Sequence, residues 1–238
     1  MVTQIELGDI SVDILFKDIK NVHLGVYPPT GRVRISAPEH MSVDKVRVFA
    51  ISKLGWIKAQ QKKLVSQERE MPREFLERES HYLWGRRYLL ELHRAKGKAK
   101  VSVTHKKIVI TSARPLSKDK LSELMDDYYR ASLRAKAFEF VAQWEKRLNV
   151  SVNKLFIQRM KTKWGGCNPS ARNVRINLDL AKKAPECLDY IVLHELLHFF
   201  VPNHGPKFVE LMDQHMPHWR NVRRKLNATP LSYMDWTY

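Results

Sequence analysis

The chain of 238 residues is 44% hydrophobic and 28% charged, which excludes a disordered chain and provides enough apolar residues for a substantial core. No apolar run reaches the roughly 20 residues of a membrane helix, and two cysteines, Cys167 and Cys187, do not make a disulfide framework. The net charge of +17 points to an anionic partner such as nucleic acid or nucleotide phosphate, or else to a solvated basic surface.

The opening MVTQIELGDISVDILFKD has no basic lead and carries early acids, so it predicts a strand rather than a secretory signal, and the expected location is cytoplasmic. Alternating runs (IELGDISVDILFKD, NVHLGVY and RVRISAP, the last two separated by the turn YPPTGR) predict a small antiparallel sheet. Ser42 then caps a helix through about Val65, with Val46, Phe49, Ala50, Leu54 and Ile57 on its apolar side. The charged, proline-bearing SQEREMPREFLERES reads as a surface connection. Strands resume in RYLLELHR and KKIVITSA, joined across AKGKAK.

A long helix is predicted over Lys118–Leu148 from the periodicity of Leu121, Leu124, Met125, Tyr128, Leu133, Ala137, Phe140, Val141 and Trp144. Two strands, KLFIQRM and NVRINLDL, flank KTKWGGCNPSAR, whose glycines and Asn-Pro mark a loop or hairpin. Pro185 opens a helix through ECLDYIVLHELLHFF that must end before Pro202, because proline disfavours helix at the residue ahead of it. Phe208–His215 and a basic Trp219–Leu226 read as further helices. No internal repeat is visible. The fold class is α+β, with a β-rich accessory region over 1–113 and a second region over 114–238, or the two as one compact unit.

Charge is unevenly placed along these elements. Arg86 to Lys136 holds 14 Lys/Arg against 5 Asp/Glu, and Lys154 to Arg175 holds six Lys/Arg and no acid. Ala184 to Trp219 runs the other way, with one Lys and five acids. No zinc finger, RNP sequence or heptad repeat marks a dedicated nucleic-acid reader.

In that acidic stretch, YIVLHELLHFFVPNHGPKF places polar residues in an apolar helix, which is costly unless they share a partner. His194 and His198 stand four residues apart on one helix face, a spacing that suits two ligands of one Zn2+ ion. Glu195 points partly round the helix, where it can take a proton from a metal-bound water whose pKa is lowered towards about 7. His204, after the helix-breaking Val201–Pro202, is the expected third ligand; Glu210, His215 and His218 are its rivals. Arg159, Lys161, Lys163 and Arg175 are candidates to stabilise a developing oxyanion. Trp164 lines a substrate cleft or anchors packing, and Cys167 and Cys187 read as small buried hydrophobes.

These residues resemble a known family. RMKTKWGGC, INLDLAKKAPECLDYIVLHELLHFFVPNHGPKF and MPHWR are similar to the YgjP-like family of zinc metallopeptidases, related to the SprT-like group. RISAPEHMSVDKV, LGWI and YLWGRRYLLEL match its N-terminal half more loosely. The resemblance implies one zinc ion on His194, His198 and His204, Glu195 as general base, and a zincin-like C-terminal domain whose metal helix packs on a short sheet. The family's usual WGSC is WGGC here, which removes any serine hydroxyl at position 166, and its aromatic FW pair is Phe208-Val209.

Three functions compete. The first is a zinc peptidase that pairs its substrate with a sheet edge, for which NVRINLDL is the expected strand. The second is a zinc- or magnesium-assisted nucleoside triphosphate pyrophosphatase, an activity assigned to relatives notably on UTP, with residues 154–175 as a phosphate clamp. It lacks a Gly-rich phosphate loop. The third is a nucleic-acid-associated protein with a structural metal site, whose binding would be strongly salt-dependent. A hydrolase is preferred to a binder, because Glu195 and an open coordination position have no purpose in a binder, and the peptidase is preferred to the pyrophosphatase by the usual chemistry of the motif.

Overall fold

Residues 2–27, 30–66, 73–160 and 163–228 are described by a computed structural model, in which the chain divides between residues 70 and 71 into two units with separate cores. In the first unit, strands β1 (Val2–Leu7), β2 (Ile10–Lys17), β3 (His23–Tyr27) and β4 (Arg32–Pro38) form one sheet of order β1-β2-β4-β3. Two of its ladders are antiparallel, as the alternation predicts; the third, β2 with β4, is parallel. The β3–β4 hairpin folds back so that β4, not β3, lies beside β2, and this reverses the relative direction of the pair. Ile14, Ile35 and Val33 of this sheet share a core with Val46, Ala50 and Ile57. The helix expected from Ser42 comes in two pieces, α1 (Val43–Ser52) and α2 (Leu54–Ser66), parted at Lys53.

The second unit begins with the same plan. Strands β5 (Ser80–Leu83), β6 (Arg86–Arg94), β7 (Lys100–Val103) and β8 (Lys107–Ser112) have the order β5-β6-β8-β7, again with the second and fourth parallel. A capped helix follows in both units. The Ser42 hydroxyl accepts from the Lys45 amide at 3.4 Å, and Ser117 accepts from Lys120 at 3.3 Å. A repeat is therefore present, in topology rather than in legible sequence. Residues 80–112, expected in the β-rich N-terminal region, place Leu90, Ile108 and Ile110 in one core with Leu121, Met125 and Leu133 of the long helix α3 (Lys118–Leu148). Burial of interdigitated side chains, not the change from strands to helix, decides where a unit ends.

A second sheet follows α3: β9 (Lys154–Gln158), β10 (Gly165–Asn168) and β11 (Asn173–Asn177), in the order β10-β11-β9. β10 and β11 make the hairpin anticipated around KTKWGGCNPSAR. The strand NVRINLDL, expected at the edge, is the central one, because β9 pairs with it in parallel on its other side. A short 3-10 helix (Leu178–Lys182) then leads to α4 (Pro185–Leu197), α5 (Pro206–His215) and α6 (Trp219–Ala228). The β5–β6 turn, Trp84–Gly85, docks on this connection: its amides donate to Ala181 and Lys182 carbonyls. Gly85 sits at φ 76°, and an added Cβ would meet Ala184 at 3.1 Å, so glycine is required there. No helix among the described residues is long and apolar enough to cross a membrane.

Candidate metal centre

Helix α4 is buried around most of its circumference, including Leu188, Ile191, Val192 and Leu196. It contacts α3, α5, α6 and β10. A helix so enclosed is normally apolar throughout, so His194 and Glu195 stand out. α4 ends at Leu197, but His198 keeps helical dihedrals (φ −66°, ψ −12°), so the one-turn spacing of the two histidines holds. The following turn returns His204 to them. Ring centroids lie 4.9 Å apart for His194–His198, 4.8 Å for His194–His204 and 4.7 Å for His198–His204. One donor atom from each falls within 4.8 Å of the others. Phe208, in the first turn of α5, touches all three rings at 4.8–4.9 Å and backs the cluster. Of the rivals, Glu210 pairs with Lys207 at 3.1 Å and His215 meets Trp144 edge-on at 6.2 Å; neither they nor His218 joins the cluster.

The protonation pattern suits a metal. His198 Nδ1 lies 3.0 Å from the Val201 carbonyl, which only accepts, so Nδ1–H is the donor there and Nε2 is the atom left to ligate. His204 Nε2 lies 2.9 Å from His194 Nε2. That is the distance of a hydrogen bond in which one ring donates its N–H to the lone pair of the other, so the two nitrogens face the same point. Burial, then the charges of His198, His204 and Arg223, hold His194 down to about 3. Burial also lowers His204. Neutral imidazole is the metal-binding form, and three histidine donor atoms this close together could hold one metal ion. His194 Nδ1 is buried with no hydrogen-bond partner among the described residues.

Glu195 lies against β10. Gly165 makes the room: a Cβ there would lie 2.5 Å from Glu195 Oε1 and 2.8 Å from Ile191 Cγ2. Burial pushes the Glu195 carboxyl up to about 7, with the Lys163 charge opposing. Cys167 shares the Gly165 face of β10, and burial followed by the Glu195 charge pushes its thiol up to about 11. Asn177 braces the segment entering β10. Its side chain donates to the carbonyls of Met160 (2.9 Å) and Lys163 (2.8 Å), and its amide donates to Trp164 (2.9 Å).

The other sequence candidates separate. Arg159 donates to both oxygens of Asp126 at 2.7 and 2.8 Å and to Asp179 at 3.2 Å, so its charge is spent on structure. Lys161 lies outside the described residues. Lys163 acts electrostatically on Glu195. Trp164 packs partly buried against the core, with Lys183 Nζ 5.7 Å from its ring. Arg175 pairs in register with Gly166, which puts it on the opposite face from Gly165 and Ile176, over the Phe156 ring at 5.8 Å. Gly165, Asn177, Phe208 and Arg223 were not among the expected site residues. The Gly-Gly pair signals only a turn, Asn177 stands in a strand-like run, Phe208 marks a helix start and the place of a family aromatic pair without pointing at the histidines, and Arg223 is one of several basic residues on α6.

Comparison with curated proteins finds no match. Among solved structures, the chain is similar to the metallopeptidase zymogen of Methanocaldococcus jannaschii jannalysin, at 28% identity over 38% of this chain and 92% of that one, with a TM-score of 0.34. It is also similar to the metallopeptidase zymogen of Pyrococcus abyssi abylysin, at 13% identity over 41% of this chain and 99% of that one, with a TM-score of 0.36. The model of the YgjP-like family, a metallopeptidase domain, matches residues 20–229, and the chain belongs to that family.

Proposed function

We propose that the chain is a zinc-dependent peptidase in which His194, His198 and His204 hold the metal and Glu195 is the general base. The observation that carries this is the convergence of three imidazoles beside a buried glutamate, for which Gly165 clears the space. When bound, zinc supplies Lewis acidity towards a carbonyl oxygen and lowers the pKa of water. Glu195 receives the proton of the attacking water and delivers it to the leaving amine. A carboxyl held near neutrality by burial is suited to both transfers. The edge of β10 that does not face β11 can pair with an extended peptide, a zincin-like arrangement of metal helix and edge strand.

The nucleotide reading is less well supported. Arg159 is tied to Asp126 and Asp179, and Arg175 lies on the far face of the sheet, so neither joins a phosphate clamp beside Glu195. Among the described residues no cluster of carboxylates gathers for Mg2+. The decisive experiment compares the zinc-loaded chain with Glu195→Gln on a denatured protein and on a nucleoside triphosphate panel. Peptide cleavage should fall about 10²–10⁴-fold in the variant with zinc still bound. Phosphate or pyrophosphate release that the substitution abolishes, with no peptide cleaved, would overturn the peptidase.

A further inference from the structure

Helix α6 buries Trp219, Val222 and Leu226, and its remaining surface is strongly basic. Trp219 stacks on Tyr190 of α4, with centroids 6.2 Å apart and planes at 4°, and Tyr190 meets His194 edge-on at 5.8 Å. This line of rings seats α6 beside the three histidines. A groove of about 370 Å³ runs along α6, lined by Trp219, Arg220, Arg223, Arg224 and Asn227. Its lining holds three guanidinium groups and no carboxylate.

The three arginines are not equivalent. Arg220 donates to both oxygens of Asp213 and lies over the Trp219 ring at 4.7 Å, so its charge is matched. Among the described residues, no carboxylate pairs with Arg223 or Arg224. Arg223 stands one helical turn after Trp219, on the side of α6 whose indole stacks on Tyr190. Two unmatched guanidiniums lining one groove repel each other, and a planar oxyanion relieves that repulsion while accepting paired hydrogen bonds.

We propose that this groove is an anion subsite of the metal centre, in which Arg223 and Arg224 take the terminal carboxylate of a peptide substrate. The proposal rests on the peptidase reading and deepens it: the substrate is a chain end, cut close to its C-terminus. The Asn227 amide, at the other end of the groove, offers the last peptide unit a polar contact.

The test is calorimetric titration of the full-length, zinc-loaded Glu195→Gln chain with a short N-acetyl peptide as free acid and as amide. The acid should bind about tenfold more tightly, or about 1.4 kcal/mol. Arg223→Gln should remove that difference, Arg223→Lys should keep part of it, and Lys207→Gln, on the exposed side of α5, should leave it intact. Equal binding of acid and amide would overturn the subsite while leaving the peptidase standing. If neither peptide binds, the peptidase reading fails, and inorganic phosphate becomes the probe. Phosphate binding lost in Arg223→Gln would keep the anion subsite with a phosphoryl source, and binding indifferent to Arg223 would end it.

Discussion

The sheet of residues 2–38 and the sheet of residues 80–112 share strand order, a parallel pair between two hairpins, and a serine-capped helix after the last strand. They differ in that helix. In the first unit it is 10 residues long and breaks at Lys53 before α2, leaving Val48 67%, Ile51 50% and Trp56 46% exposed. In the second it runs for 31 unbroken residues, about 46 Å, far beyond what a short sheet covers. The surplus holds the metal half: Trp144 Nε1 donates to Asp189 of α4 at 2.6 Å, and Arg130 donates to the Ile157 carbonyl at 2.7 Å. The repeated module is thus a scaffold, and chemistry accrues only where its helix has length left to carry a second layer.

The strongest way to break this comparison is to unpack each core. Ile35→Ala and Leu188→Ala each remove a fully buried side chain and should cost about 2–5 kcal/mol. Ile35→Ala should leave zinc affinity unchanged, whereas Leu188→Ala, on the helix carrying His194, should weaken it. Equal loss of zinc binding in both variants, measured by competition with a chelator, would show that the two units do not divide the labour as described.

Acid should act through the second unit. His81 on β5 is 3% exposed, and burial, then the charges of Arg73 and Lys182, hold it down to about 4. The unfolded chain therefore takes up this proton first. Stability contributed by neutral His81 is complete above about pH 6.5, falls by about 1.4 kcal/mol per unit below it, and levels near pH 4 after a loss of about 3 kcal/mol. Denaturant titrations between pH 7 and pH 4 should show this slope, and His81→Phe should flatten it. A variant as acid-sensitive as the parent would remove His81 from the account.

Within β10, neighbouring glycines should behave oppositely. Gly165→Ala drives a methyl group onto Glu195 and Ile191 and should cost about 1–3 kcal/mol, with a lowered turnover. Gly166→Ala meets nothing within 4 Å and should be silent in the same thermal and activity assays. The smallest expected effect tests the repeat itself. Ser42→Ala and Ser117→Ala should each destabilise by about 1 kcal/mol, since each removes one acceptor from a helix start. A cap that costs nothing in one unit would mean that the shared motif is used in only one of them.

Much of the molecule was legible because local periodicity carries it. The buried stripe of α3 from Leu121 to Trp144, the proline-led start of α4, and the one-turn spacing of His194 and His198 follow from the 3.6-residue repeat and need no distant residue. The turn VPNH also announced that the chain could reverse and return His204. What the sequence by itself determined was the long helix α3, the helices of the C-terminal half and the triad of imidazoles with Glu195 among them, whereas the break at Lys53 between α1 and α2 was not legible. The tertiary structure alone decided that β4 and β8 lie parallel to β2 and β6, that β11 is central, that Arg159 is bound to Asp126 and Asp179, and that Trp219 of α6 stacks on Tyr190 of the metal helix. Each of these depends on a partner far along the chain, and a residue's own neighbours in sequence say nothing about which distant surface will bury it or match its charge.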